Sequence, residues 1–284
     1  MNLKKYKIGP YLLALLPFII LVVMFELLPL ANIIIKSFSK EGGIGFTLDN
    51  YIQIIQKPLY QQAVVTSIVI SIISSIVGII VAFMGAKAAQ NRDGVVKKIF
   101  MSILNMTSNF AGVPLAFAFI ILLGKTGVLV MIANAMGIKA IAAFDLYSSK
   151  GLLLTYIYFQ IPLATLLLIP AFESIHEEWK EAAKILTASS FHFWRYIEMP
   201  ILLPSLLSTF CILFSNSLVA YATAYALLSG NASLIPIRAS ELFVGDLTQR
   251  AELGSALSVV LLILMTIAFV INNVVTKRLR KEVE

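Results

Sequence analysis

Residues 61–86, 99–124, 151–172 and 253–276 each run without a single charged side chain. These runs constrain the fold most, because a helix of about 20 mostly apolar residues is what crosses the hydrocarbon core of a bilayer. Two further runs complete the pattern. Residues 11–35 carry Glu26 as their only charge, and the stretch from Met199 to Ile237 carries none. The latter is too long for one crossing. Pro200 and Pro204 stand at its start and Gly230 and Pro236 near its end. Proline is tolerated in the first turn of a helix and breaks its interior, so this span is expected at about residues 205–229. The runs are continuous rather than alternating, which excludes a transmembrane barrel. Composition agrees: 59% of residues are hydrophobic and 13% charged, too apolar for a soluble enzyme or a disordered chain. The expected fold is an all-α membrane protein with six transmembrane helices.

Lys and Arg set the orientation. With the N-terminus inside, segments 1–9, 87–98, 173–200 and 277–284 carry basic residues at about twice the density of the outer segments. Both termini are therefore expected in the cytoplasm. The net charge of +7 lies along membrane edges, where it suits anionic lipid and not nucleic acid. Lys4, Lys5 and Lys7 before an apolar run resemble a signal peptide. The run exceeds the roughly 7–15 residues of a signal's apolar region, so it reads as an uncleaved first span. The expected organisation is a tail, span 1 and outer loop over 1–60, a five-span core over 61–276 and a cytoplasmic tail over 277–284.

Polar residues inside the spans are few. Ser67, Ser71, Ser74 and Gly78 fall on one helical face, the kind of small-residue stripe along which membrane helices approach closely. Asn105, Thr107, Ser108 and Asn109, followed by Gly112 and Pro114, mark a local helix break in the third run. Tyr156 lies in span 4, and Asn216 and Tyr221 in span 5. Each fits either interhelical hydrogen bonding or the lining of a solute pathway. Glu26 is the one ionisable side chain expected within a span, and an acid there is either functional or reaches the outer interface. One intramembrane acid is thin provision for an ion-driven carrier. Cys211 alone permits no disulfide, and His176 and His192 are too few for a metal site. Gly124-Lys125-Thr126 mimics the end of a phosphate-binding loop, but Phe119 stands where that motif needs glycine. Asn231-Ala232-Ser233 fits a glycosylation sequon.

The loop between spans 4 and 5, residues 173–200, carries the most specific pattern. Ser174 with Glu177 reads as a capping box. Ile175, Trp179, Ala182, Ala183 and Leu186 then follow the period of an amphipathic helix. Phe191, Trp194 and Ile197, three apart, mark a second short helix, and Pro200 ends the loop and opens the next span. Such a hairpin must bury its apolar side against lipid, its own bundle or a partner's groove. Ala182 and Ala183 are expected to face the partner, with Lys180 and Lys184 on the wet side.

Glu181-Ala182-Ala183, then Thr187, Ile197 and Met199-Pro200 resemble the E-A-A-x3-G-x9-I-x-L-P loop of ABC importer permeases. Thr187 replaces the glycine and Met199 the leucine. Leu28-Pro29, Ser37-Phe38 and Phe46-Thr47-Leu48-Asp49-Asn50-Tyr51 also look like that family. More narrowly, they resemble its branch for polyamines, opines, phosphonates, thiamine and iron. The resemblance implies a permease subunit of the bacterial cytoplasmic membrane, not an enzyme, forming half of a pathway for a small polar solute such as a polyamine. It implies a cytoplasmic ATPase dimer that binds ATP and magnesium, a second permease chain and an extracytoplasmic binding protein, with no cofactor on this chain. Glu181, Ala182, Ala183, Thr187, Ile197 and Pro200 would then couple to the ATPase. Glu26, Asn105, Asn109, Tyr156, Asn216 and Tyr221 are the pathway candidates. An ion-coupled carrier or a structural membrane subunit is the alternative, and neither needs a docking helix.

Overall fold

The computed structural model describes the backbone of residues 8–43, 45–90, 94–228, 233–244 and 249–283, with side chains between 15 and 279. Lys4, Lys5, Lys7, Gly230 and the Asn231-Ala232 part of the sequon lie outside the described residues. Among those described, regular structure is helical apart from one bridge, Ser39 to Phe46. Among the described residues, six stretches are long and apolar enough to cross a bilayer: Leu15–Ser37, Pro58–Gln90, Val113–Ala135, Ser149–Glu173, Ser190–Leu218 and Ala251–Leu279. The chain divides into two compact units, Met1–Lys57 with Ala239–Val260, and Pro58–Arg238 with Leu261–Glu284.

In the first unit, helix α1 (Ile8–Val22) passes through a π turn at Val23–Leu27 into α2 (Leu28–Ser37). The cause is Pro29. It lacks an N–H, and its ring crowds the carbonyl four residues back, that of Phe25, inside the wide turn. The Leu28 N–H reaches back to the Val23 carbonyl, one residue further than in an α-helix. Glu26 sits in this turn, exposed and close to the middle of the span, not towards its outer end. It is not the span's only ionisable group, because the helix continues through Lys36 to Ser37. After α2 the chain turns through the Ser39–Phe46 bridge into α3 (Asp49–Gln56). Buried Asn50 donates to the carbonyls of Ser37 and Ser39 at 3.0 Å each, and the Tyr51 hydroxyl bonds Ser37 Oγ at 2.8 Å. The 46–51 motif is thus the stop of α2, supplying donors to carbonyls a helix end leaves unpaired.

The second unit is built around α4 (Pro58–Gln90), α9 (Ser149–Glu173) and α12 (Met199–Leu218). The small-residue face of α4 is buried, as its pattern requires: Ser67, Ser71 and Ser74 are at most 3% exposed. A side chain at Gly78 would come within 3.0 Å of Gln160 Cβ on α9. Gln160 in turn donates to the Leu213 carbonyl of α12 at 2.9 Å, and Ser74 Oγ lies 3.3 Å from Ser217 Oγ. One polar seam therefore joins three helices where lipid offers no competing partner.

The run 99–124 is not one helix. It falls into α5 (Val95–Ser108) and α6 (Val113–Leu123), and the third apolar span continues through α7 (Val128–Ala135). Asn109 to Gly112 interrupt it because Gly112 adopts φ +72° and Pro114 opens α6. After a short helix α8 (Lys139–Ala142), α9 leads to the loop helices α10 (Glu177–Ile185) and α11 (Ser190–Phe193). The fifth span also differs from expectation. It runs Ser190–Leu218, because α11 passes through a π turn at Trp194–Glu198 directly into α12. Pro200 repeats the logic of Pro29: the Met199 N–H reaches the Trp194 carbonyl, and the turn widens where the ring would clash. So Pro200 stands in the first turn of α12, as expected, but no break separates α12 from the loop's second helix. The remaining helices are α13 (Ala222–Leu228), α14 (Ile235–Val244) and α15 (Ala251–Val283).

Candidate functional site

The loop helix α10 is set by its two ends. Ser174 keeps helical backbone angles as the C-cap that follows α9 and donates back to the Ala171 carbonyl at 2.7 Å. It therefore cannot cap α10, and the expected capping box does not form. Extended His176 opens the helix instead. At the other end the Thr187 N–H bonds the Lys184 carbonyl and the Ala188 N–H bonds the Ala183 carbonyl, at 3.0 and 2.9 Å. This pair of bonds is a Schellman stop, which requires a left-handed residue at Thr187. Thr187 accepts it at φ +56°, among the described residues the one positive value outside glycine. The turn that glycine would make easily is thus made by a β-branched residue under strain.

The faces of α10 differ from expectation. Ala183 is buried against its own bundle, with Ile175 and Phe193, in a cluster that includes Ala86, Phe172 and Leu202. The outward face is Glu181, Ala182, Ile185 and Leu186, the last two 81% and 78% exposed. Lys184 is exposed, as expected, and Lys180 half-buried. With Lys87 and Glu198 they line a cavity of about 250 Å³ beneath the loop. Ala183 is small because a helix facing its own bundle must sit close, and the lysines share the flank beside it. Glu198 was not singled out from the sequence. Its carboxylate is 5% exposed, and Lys87 Nζ, on the last turns of α4, lies 3.4 Å away without forming a hydrogen bond. An acid two residues before the helix-opening proline was its only signal. Ile197 and Pro200 are half-buried on the adjoining π turn and helix.

Above the loop, two interrupted helices meet at their interruptions. The break at 109–112 faces the break between α12 and α13: Thr223 Oγ1 donates to the Gly112 carbonyl at 3.2 Å, and Ala222 lies against Gly112. Non-helical backbone in a membrane persists where protein covers it or where it lines a wet cavity. Tyr156 is fully buried, and its hydroxyl donates to the Ala220 carbonyl, closing one acceptor of the second break. Half-buried Tyr221 stacks on Tyr225 at 5.2 Å beside it. Asn105 and Asn109 are exposed and bond the carbonyls of Met101 and Asn105 in their own helix. Asn216 is half-buried on α12 and makes no hydrogen bond among the described residues. The structure therefore brings together Tyr156, Tyr221 and the two breaks. Glu26 belongs to the other unit.

Residues 74–281 match the family described as the binding-protein-dependent transport system inner membrane component. The chain belongs to this family. It is an ABC importer permease, a multi-pass protein of the inner membrane. This permease is 26% identical over 152 residues to the thiamine transport system permease protein ThiP of Escherichia coli K12, covering 54% of this chain and 28% of that protein. It is 30% identical over 130 residues to the probable sulfate transport system permease protein cysT of Prototheca wickerhamii, covering 45% and 51%. The permease spans about a quarter of the length of the thiamine permeases it matches. Its fold resembles a chain of a bacterial ABC transporter involved in import of the polysaccharide alginate, with TM-score 0.74 at 16% identity, over 95% of this chain and 96% of that one.

Proposed function

We propose that this permease forms half of the solute pathway of an ATP-driven importer, and that α10 is the element through which a separate ATPase drives it. The observation that carries the proposal is the outward face Glu181, Ala182, Ile185 and Leu186. It leaves two large aliphatic side chains uncovered by this chain on a helix whose opposite face is already packed. A groove in a cytoplasmic ATPase would cover that apolar patch, with Glu181 meeting a basic residue at its rim. Both termini and the loop then lie in the cytoplasm, as the basic residues favour. A second permease chain completes the pathway, and an extracytoplasmic binding protein delivers the solute. ATP and magnesium belong to the ATPase dimer.

The geometry supplies a lever. The second half of the loop is fused to span 5 as one stretch of 29 residues, Ser190–Leu218. At 1.5 Å per residue it is about 43 Å long. Its far end is the break that meets the break before α6. A push on α10, carried through buried Ala183 and Phe193, would reach those breaks along one stiff helix. Ile197 and Pro200, at the π turn, sit where that helix can bend.

For the solute, stacked tyrosines with no charged residue at either break suit an organic cation better than an anion, through cation–π attraction. The thiamine permeases among the relatives favour a thiamine-like cation over the polyamine expected from the sequence. The test is ATP-dependent uptake into vesicles holding the permease with its ATPase, offered labelled thiamine, sulfate or spermidine with the binding protein. Uptake of thiamine that Glu181→Lys abolishes supports the reading. Uptake that continues without the ATPase overturns it.

A further inference from the structure

Two cavities follow one another along spans 5 and 6, the upper one walled also by Ile68 and Ile72 of span 2. The upper one, about 330 Å³, is walled almost wholly by hydrocarbon, including Leu207, Phe214, Leu264 and Ile271, with Cys211 in its wall. The lower one, about 840 Å³, opens at the π turn and is lined by Trp194, Arg195, Tyr196, Pro200, Leu203 and Leu279. They continue one face. On the span 5 helix, positions 196, 200, 203, 207, 211 and 214 step at three and four residues, and on α15 positions 264, 268, 271, 275 and 279 do the same. The helices are held in this register by Cys211 Sγ to the Ala268 carbonyl at 3.3 Å and Asn272 to Ser208 at 3.4 Å.

We infer that this seam binds an anionic phospholipid, its acyl chain in the upper groove and its phosphate at Arg195. Three observations select that occupant. From Leu264 to Val275 the groove is about 16 Å long by helix rise, close to the depth of one leaflet in a core of about 30 Å. The change from apolar to polar lining falls where Trp194 and Tyr196 stand, the residue types that sit at headgroup level. The charge is complementary as well. Arg195 makes no ion pair among the described residues, no Asp or Glu lines the lower cavity, and exposed Arg278 follows on the same face of α15. Glu198, three residues from Arg195, turns away to Lys87. An acyl tail explains the apolar half, which a solute rich in polar groups would not fill, and the phosphate explains the cationic half.

The site borders the π turn through which the proposed lever bends, yet the lipid would be retained whatever solute the chain carries. The test uses the purified full-length permease with any chain that co-purifies. Native mass spectrometry titrates dioleoyl phosphatidylglycerol, dioleoyl phosphatidylcholine and, as a headgroup without tails, glycerol phosphate. Alkylation of Cys211, the chain's one cysteine, by N-ethylmaleimide reports occupancy of the groove itself. Phosphatidylglycerol should bind at least fivefold more tightly than phosphatidylcholine, glycerol phosphate should not bind measurably, and saturating phosphatidylglycerol should slow Cys211 alkylation at least threefold. Arg195→Gln should cut the preference for phosphatidylglycerol about fivefold, the effect of one basic residue near an anionic surface. Ala268→Leu should fill the groove and weaken both lipids. Should that variant fail to fold, Arg195→Gln and the alkylation rate still decide. Equal binding of the two lipids, an unchanged Cys211 rate, tight binding of glycerol phosphate, or oxidative cross-linking of Cys211 between two copies would each overturn the assignment, the last by making the groove an interface.

Discussion

Replacing Thr187 with glycine should tighten the loop between spans 4 and 5. Thr187 holds the left-handed backbone of a Schellman stop at φ +56°. For a residue with a Cβ that conformation costs about 1–2 kcal/mol. Glycine removes the cost but brings about 0.5–1 kcal/mol of extra freedom to the unfolded loop. The threonine side chain is exposed and makes no hydrogen bond among the described residues, so its loss offsets nothing further. Both stop bonds use backbone N–H groups and survive the change. The balance is a local gain of about 0.5–1 kcal/mol, a two- to fivefold slowing of amide exchange for a segment that opens by itself. Hydrogen–deuterium exchange over peptides covering 177–190 measures it directly, without requiring reversible unfolding of a membrane protein. Asparagine should give a smaller gain, because it tolerates the left-handed region better than threonine. Valine should give none. If glycine speeds exchange relative to threonine, the turn is not limited by backbone strain and the account of this position is wrong.

Other perturbations follow from the packing. Lys87→Ala should leave the Glu198 carboxylate buried without its cation and cost about 2 kcal/mol, below the 3–5 of a fully buried pair because Lys87 is half in water. Glu198→Gln in the same background should recover most of it, as a double-mutant cycle on thermal stability in detergent would read. Gly78→Leu should cost about 1–3 kcal/mol or abolish assembly, since even one carbon there meets Gln160 at 3.0 Å, and a melting point within error of wild type would refute the tight contact of α4 with α9. Tyr156→Phe should strip the Ala220 carbonyl of its donor and cost about 1 kcal/mol, with faster exchange over 217–224. Glu181→Lys should lose the bound ATPase on co-purification while inserting normally, whereas Glu177→Lys, one turn earlier on the same loop helix, should retain it.

The number of spans was legible because an absence of charge over the length of a bilayer crossing needs no knowledge of neighbours, whereas the third and fifth were misplaced, the third because it leaves out α5 and crosses Lys125. The small-residue face of α4 was legible for a related reason, as a period of three and four in one helix. What escaped reading depends on a second element. Pro200 looked like a boundary because proline breaks an α-helix, yet a π turn upstream lets the helix continue, and the same device recurs before Pro29. Both prolines follow a hydrophobic residue and an acid within three positions, so a rule that reads such a proline as a widened turn would have joined α11 to α12. The faces of α10 escaped for a different reason. Its hydrophobic period marks two apolar sides, one filled by Ala183 and the other by Ile185 and Leu186, and amphipathicity alone cannot say which is the bundle's. Residue size does say it. A helix lying against its own spans needs alanine at the contact, whereas a helix reserved for a partner can hold large side chains in water until that partner arrives. By that rule the buried face of this loop and the face proposed for docking are distinguishable from the order Ala182-Ala183-Lys184-Ile185-Leu186 together with one observed burial, that of Ala183 at 8%. Lys180 and Lys184 beside it line the cavity beneath the loop together with Lys87 and Glu198.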